Sequence, residues 1–122
     1  MLLNDFFHIL HCKNEQQTIT ATLQINKQHA VFNGHFPGQP VVPGVCMMQM
    51  VKEVLERETQ QKYLIREADH LKFLTLLDPT VHPEIEAEIK SESTTDGLKV
   101  VATLFTGDVI FFKIKSTFHT AS

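Results

Sequence analysis

Only one stretch of this chain has a helical period, and the segments around it alternate. Over residues 45–59 apolar side chains recur at Met47, Met48, Val51, Val54 and Leu55, with Lys52, Glu53, Glu56 and Arg57 on the other side. Before it, residues 18–26 (TITATLQIN) place Ile19, Ala21, Leu23 and Ile25 on one face and Thr18, Thr20, Thr22 and Gln24 on the other. Residues 6–12 form a shorter apolar stretch that predicts a preceding strand, with KNEQQ (13–17) as the turn. After the helix, READHLKFL (66–74) and EIEAEIKSES (84–93) alternate on either side of a turn containing Asp78-Pro79 and Pro83. GLKVVATLF (97–105) and VIFFKIKSTF (109–118) then flank TGD, a short Gly-containing hairpin connection. The order is strand, strand, one long helix and about four strands. A sheet that must bury one face, with one helix available to cover it, predicts an α+β two-layer domain.

With 122 residues, 43% of them hydrophobic and 20% charged, the chain suits one compact domain over residues 1–122, and it shows no internal repeat or linker. A core of this size needs no metal or disulfide staple. The net charge of -3 argues against nucleic acid or an anionic membrane as the main partner. Lysines scattered between Lys72 and Lys115 leave room for a local basic patch. Cys12 and Cys46 lack metal-type spacing and read as free buried thiols of a reducing compartment. Cys46 follows Val45 at the helix start, where a dipole lowers a thiol pKa, but no base lies beside it in sequence. The N-terminus MLLNDFFHIL has no basic leader region and carries Asp5 at once, so it reads as folded structure. No apolar run reaches the length of a membrane span, and the expected location is cytoplasmic. The histidines outside residue 35 have no metal spacing. His8 and His11, three apart in an expected strand, should point to opposite faces, so no metal site is expected.

The most constrained backbone lies in GHFPGQPVVPGV, residues 34–45. Gly34, Gly38 and Gly44 open conformations barred to other residues, and Pro37, Pro40 and Pro43 lock φ. Pro43 suits a helix entry. Such a loop presents His35 without a large entropy cost, with Phe36 as an anchor into the apolar layer. It also delivers the first N–H groups of the helix, around Gly44 and Val45, which can bind a carbonyl oxygen on which charge develops. A histidine beside such donors suits proton abstraction α to a thioester, or acyl transfer. The bland alternative is a histidine that merely pins the loop.

The motif HFPGQPVVPGV running into a helix resembles the signature of the β-hydroxyacyl-acyl carrier protein dehydratases of the hotdog-fold superfamily, the FabZ and FabA type. The likeness extends more weakly through ADHLKFLTLLDPTVHPEIEAEI and DGLKVVATLFTGDVIFFKIKSTF. It implies a curved antiparallel sheet wrapped around one long central helix. It also implies a dimer, or trimer of dimers, with a histidine of one chain facing a carboxylate of the other. His35 maps to the catalytic histidine and the Gly44 amide to the donor that polarises the thioester carbonyl. Phe36, Val45, Met47 and Met48 fall at substrate positions, although a methionine stripe is also ordinary core packing. The implied substrate is a 3-hydroxyacyl thioester on acyl carrier protein or coenzyme A, dehydrated to the 2-enoyl thioester in fatty-acid or lipid synthesis. No cofactor is implied.

One position departs from the pattern. The family's glutamate, or aspartate in the FabA branch, falls on Gln49, and its glutamine four residues later falls on Glu53. A primary amide accepts and donates hydrogen bonds but exchanges no proton near neutral pH. Glu53 either substitutes from one turn further along or, with Gln49, belongs to a solvated helix face. The resulting alternatives are a weakened, thioester-binding subunit that partners an active hotdog homologue and, ranked last, an acyl thioesterase.

Overall fold

In the computed structural model, which describes residues 1–33 and 40–121 and all their side chains except those of residues 66–69, six strands and one long helix form a curved two-layer domain. The strands are β1 (Phe7–Glu15), β2 (Thr18–Ile25), β3 (Tyr63–Phe73), β4 (Glu84–Thr94), β5 (Gly97–Thr106) and β6 (Val109–Thr120). They form one sheet in the order β1-β2-β4-β5-β6-β3, antiparallel throughout. The helix α1 (Gly44–Thr59) starts one residue earlier than its periodicity predicts, with Pro43 as its N-cap. It ends at Gln60, whose left-handed φ of 58° stops the helix.

The inner face of the sheet carries the alternating apolar set: Ile19, Ala21, Leu23 and Ile25 of β2, Ile85, Ala87 and Ile89 of β4, and Val100, Ala102 and Leu104 of β5. Small residues sit where the helix must approach. Ala21 pairs with Ala87, and Ala102 pairs with Ile89, so the middle of the sheet offers a shallow trough. Met47, Met50, Val51, Val54 and Leu55 of α1 fill it. The methionine stripe is thus mainly core, as the ordinary reading of such a stripe has it.

Two details of β1 correct the sequence reading. The turn after it is only Gln16-Gln17, both at positive φ (50° and 64°), so Lys13, Asn14 and Glu15 belong to the strand. A tight two-residue hairpin of this hand matches the strand twist. A β-bulge at Leu10 also shifts the pairing, so His8 lies opposite Gln24 and His11 opposite Thr22. Cross-strand partners share a face, so both histidines lie on the outer face rather than on opposite ones. Among the described residues no group of three or more potential metal ligands forms. No helix among them is long and apolar enough to cross a membrane.

The connection from β3 to β4 is fixed by Asp78. Its Oδ1 accepts from the Thr80 hydroxyl at 2.6 Å and the Thr80 N–H at 2.8 Å. The Thr80 hydroxyl bond holds the Asp78 carboxyl below its usual range against the opposing effect of burial, helped by the Thr80 and Val81 backbone N–H groups and by His82. A depressed carboxyl stabilises the fold above its unfolded value, about pH 4, and that contribution is lost as pH falls through the lower folded value. Asp78→Asn should therefore melt slightly below wild type at pH 7, since solvent screens so exposed a group, with the gap closing as both are acidified below pH ~4; thermal melts across that range check it.

Candidate active site

The helix start is where the sequence expects chemistry, and two of its backbone donors lack an acceptor among the described residues. The Cys46 and Met47 N–H groups both donate to the Pro43 carbonyl, at 3.0 and 3.2 Å. The Gly44 and Val45 N–H groups have no acceptor among the described residues. Pro43 offers no side-chain cap, so these donors stay available at the positive end of the helix dipole.

Beside them lies an apolar cavity of about 390 Å³, walled by Val41, Pro43, Gly44, Met47, Phe73 and the 74–77 segment. Its far wall forms because the Val42 N–H donates to the Leu77 carbonyl at 2.8 Å, tying the helix entry to the turn after β3. What sets Gly44 apart here is a close approach rather than its backbone conformation. A Cβ built on it would stand 2.7 Å from Cε1 of Phe73. The Phe73 ring stacks on Phe112 with centroids 5.1 Å apart, yet it remains 55% exposed at the cavity mouth. Phe73 and the 74–77 wall are not among the residues that the sequence motif points to. Their only sequence signal is the break in alternation at Phe73-Leu74.

The predicted residues fall into three groups. His35 and Phe36 lie outside the described residues. Gly44 and Met47 line the cavity, Val45 is 71% exposed beside it, and Met48 is half-buried against the core. Gln49 and Glu53 form the third group. At about 100° per residue, Gln49 projects roughly 140° away from Gly44, so it faces away from this chain's own cavity.

Those two residues meet each other. The Gln49 amide donates through Nε2 to Oε2 of Glu53 at 2.7 Å. Glu53 is not on a solvated face, being only 1% exposed. Its carboxylate also accepts the Leu2 N–H, at 3.0 Å to Oε1 and 2.9 Å to Oε2, and the Leu3 N–H at 2.7 Å. The N-terminal segment is held in turn by Phe6 and Phe7, both fully buried. Glu56 is likewise buried, accepting the Tyr63 N–H at 2.8 Å, with Lys52 at 3.5 Å. The polar side of the helical wheel is therefore partly covered. Cys46 is half-buried and its thiol is pushed up by burial, so it reads as a packing residue.

A family model described as ApeI-like, the ApeI dehydratase, matches residues 11–105. The chain belongs to the ApeI-like dehydratase family. Among curated relatives of this ApeI-like chain, a 3-hydroxyacyl-[acyl-carrier-protein] dehydratase FabZ of Ralstonia nicotianae is 30% identical over 100 residues, covering 73% of this chain and 61% of that protein. A FabZ of Lactococcus lactis is 30% identical over 108 residues, covering 75% and 72%. An uncharacterized thioester dehydrase of Halalkalibacterium halodurans is 28% identical over 85 residues, and this chain spans 53% of its length. The ApeI-like chain thus spans only about three fifths of the Ralstonia enzyme. Among solved structures, a chain of the dehydratase heterocomplex ApeI:P from Xenorhabdus doucetiae superposes with a TM-score of 0.72 at 20% identity, covering 91% of this chain and 96% of that one. The conserved protein PA5202 of Pseudomonas aeruginosa gives 0.65 at 13% identity, over 96% and 90%. The fold of the ApeI-like chain is the hotdog arrangement that its loop motif implied.

Proposed function

We propose that this chain dehydrates a 3-hydroxyacyl thioester, carried on acyl carrier protein or coenzyme A, to the 2-enoyl thioester. The observation that carries the proposal is the pair of open N–H donors, Gly44 and Val45, at the mouth of an apolar cavity in a chain of this family. The thioester carbonyl docks on the Gly44 N–H, which stabilises the enolate-like charge as the α-proton leaves. The acyl tail runs along Met47, with Phe36, Val45 and Met48 as further walls. His35 takes the α-proton, the bond from C3 to the hydroxyl oxygen breaks, and the same proton returns to that oxygen, which leaves as water. The elimination is redox-neutral and calls for no redox cofactor.

Because Gln49 faces away from its own chain's cavity, the arrangement fits a two-chain site in which His35 of one copy meets Gln49 of another. Strand β3 is an edge strand, and Leu64 and Phe73 on it are exposed, which suits pairing with a second chain. A homodimer, or a trimer of such dimers, is the assembly proposed. The second reading follows from Gln49, which supplies no acid. This chain would then be a weakened subunit paired with an active hotdog homologue, an arrangement that the heterocomplex of the Xenorhabdus relative makes concrete.

Product analysis separates the readings. With a 3-hydroxyacyl carrier-protein thioester, the isolated chain should form the enoyl thioester without releasing thiol. Free thiol instead would indicate a thioesterase. No product from the isolated chain, with product on mixing with a co-purifying hotdog partner, would replace the first reading by the second.

A further inference from the structure

We infer that Glu53 is a positioning residue that fixes which end of the Gln49 amide meets a ligand, and so selects thioesters carrying a hydrogen-bond donor at C3. The inference rests on residue 49 belonging to the thioester site, as proposed above.

The two oxygens of the Glu53 carboxylate are engaged differently. Oε1 receives the Leu3 N–H at 2.7 Å, Oε2 receives the Gln49 amide at 2.7 Å, and the Leu2 N–H is shared between them at 3.0 and 2.9 Å. A carboxylate accepts only, so the amide end that faces it must be the NH₂. The Gln49 carbonyl oxygen is therefore turned the other way, and no donor among the described residues reaches it. Glu53 cannot swing aside to release the amide, because it is buried and pinned by two backbone N–H groups.

An outward carbonyl accepts from a 3-hydroxyl group. It repels a 3-oxo group, which has lone pairs but no proton to give. Residue 49 thus binds the dehydration substrate through its hydroxyl while leaving the proton transfer to another group. The inference also predicts what Glu53→Gln does. Leu3 still requires an oxygen at the place of Oε1, and the Leu2 N–H, which reaches both oxygens, keeps its bond there, so the new NH₂ replaces Oε2 and faces Gln49. The Gln49 amide must then turn over, presenting its own NH₂ outward, which suits a 3-oxo group.

The test is binding, and it needs no turnover. Non-hydrolysable pantetheine amide analogues with a 3-hydroxyacyl or a 3-oxoacyl chain are titrated by calorimetry into wild type, Glu53→Gln, Gln49→Leu and the double variant. Wild type should favour the 3-hydroxy analogue by about tenfold, the scale of one hydrogen bond gained against one lost. Glu53→Gln should abolish or reverse that preference, Gln49→Leu should show none, and Glu53→Gln should change nothing further in the Gln49→Leu background. An unchanged preference in Glu53→Gln overturns the inference, as does binding of neither analogue by wild type. Independently of ligand, the Gln49 side-chain amide protons should exchange with water more slowly than those of the exposed Gln61, and should lose that protection in Glu53→Leu. Equal exchange rates in wild type would also overturn it. A chain that shows the binding preference but no dehydration would leave the inference standing and remove the proposed activity instead.

Discussion

Exchanging two residues one helical turn apart, Gln49→Glu together with Glu53→Gln, is expected to raise enoyl thioester formation by about 10²–10⁴-fold, the range typical of one positioned acid or base. The exchange gives the order of glutamate followed by glutamine found in the dehydratase pattern that the loop resembles. In the wild-type chain residue 49 offers an amide oxygen, which holds a hydroxyl but cannot protonate it as it leaves. In the exchanged chain the amide NH₂ at position 53 holds one oxygen of the carboxyl at position 49, and the other oxygen is free to carry a proton toward the leaving group. Gln49→Glu alone should gain less. It sets a second carboxyl against Glu53 at the present 2.7 Å contact, where the two hold one proton between them. That proton sits on the inner side of the pair, away from the ligand. Initial rates of the two variants beside wild type decide the matter: a single variant as fast as the exchange, or no gain in either, would count against this arrangement.

The largest stability effect is expected at the same residue. Glu53→Leu should cost about 2–4 kcal/mol, because it strips the acceptor from the Leu2 and Leu3 N–H groups and from the Gln49 amide. Fraying recovers only part of this. Residues 1–5 can lift away and rehydrate, but Phe6 and Phe7 are buried in the core directly behind them. Against a typical total of about 5–15 kcal/mol, the loss is substantial. A lower urea midpoint with unchanged slope, and faster amide exchange confined to the first residues, would show it. A midpoint equal to that of wild type would mean that the clasp adds nothing to the fold.

The helix was legible from its period and the sheet from its alternation, because one buried face imposes both patterns on local sequence. The parts that were not legible depend on distant or conformational facts. Glu53 looks solvated on a helical wheel because the amides that bury it lie about fifty positions away, in Leu2 and Leu3. The short Gln16-Gln17 turn and the Leu10 bulge carry no glycine or proline to mark them, and the bulge alone reversed the expected facing of His8 and His11. At the candidate site, the loop motif points to the helix start, where the Gly44 and Val45 N–H groups have no acceptor among the described residues. Phe73 lies over Gly44 because β3 ends beside α1, a juxtaposition that no local pattern marks. The separation of Gln49 from the cavity is the clearest case: a linear motif holds both, and only the helix rotation sets them on different sides.

His35 carries the central claim, and one comparison addresses it directly. The initial rate of enoyl formation from a 3-hydroxyacyl carrier-protein thioester is measured for wild type and His35→Ala at equal concentration. Turnover by wild type with a loss of at least about 10²-fold in His35→Ala is the predicted result. Equal rates in the two proteins would contradict it.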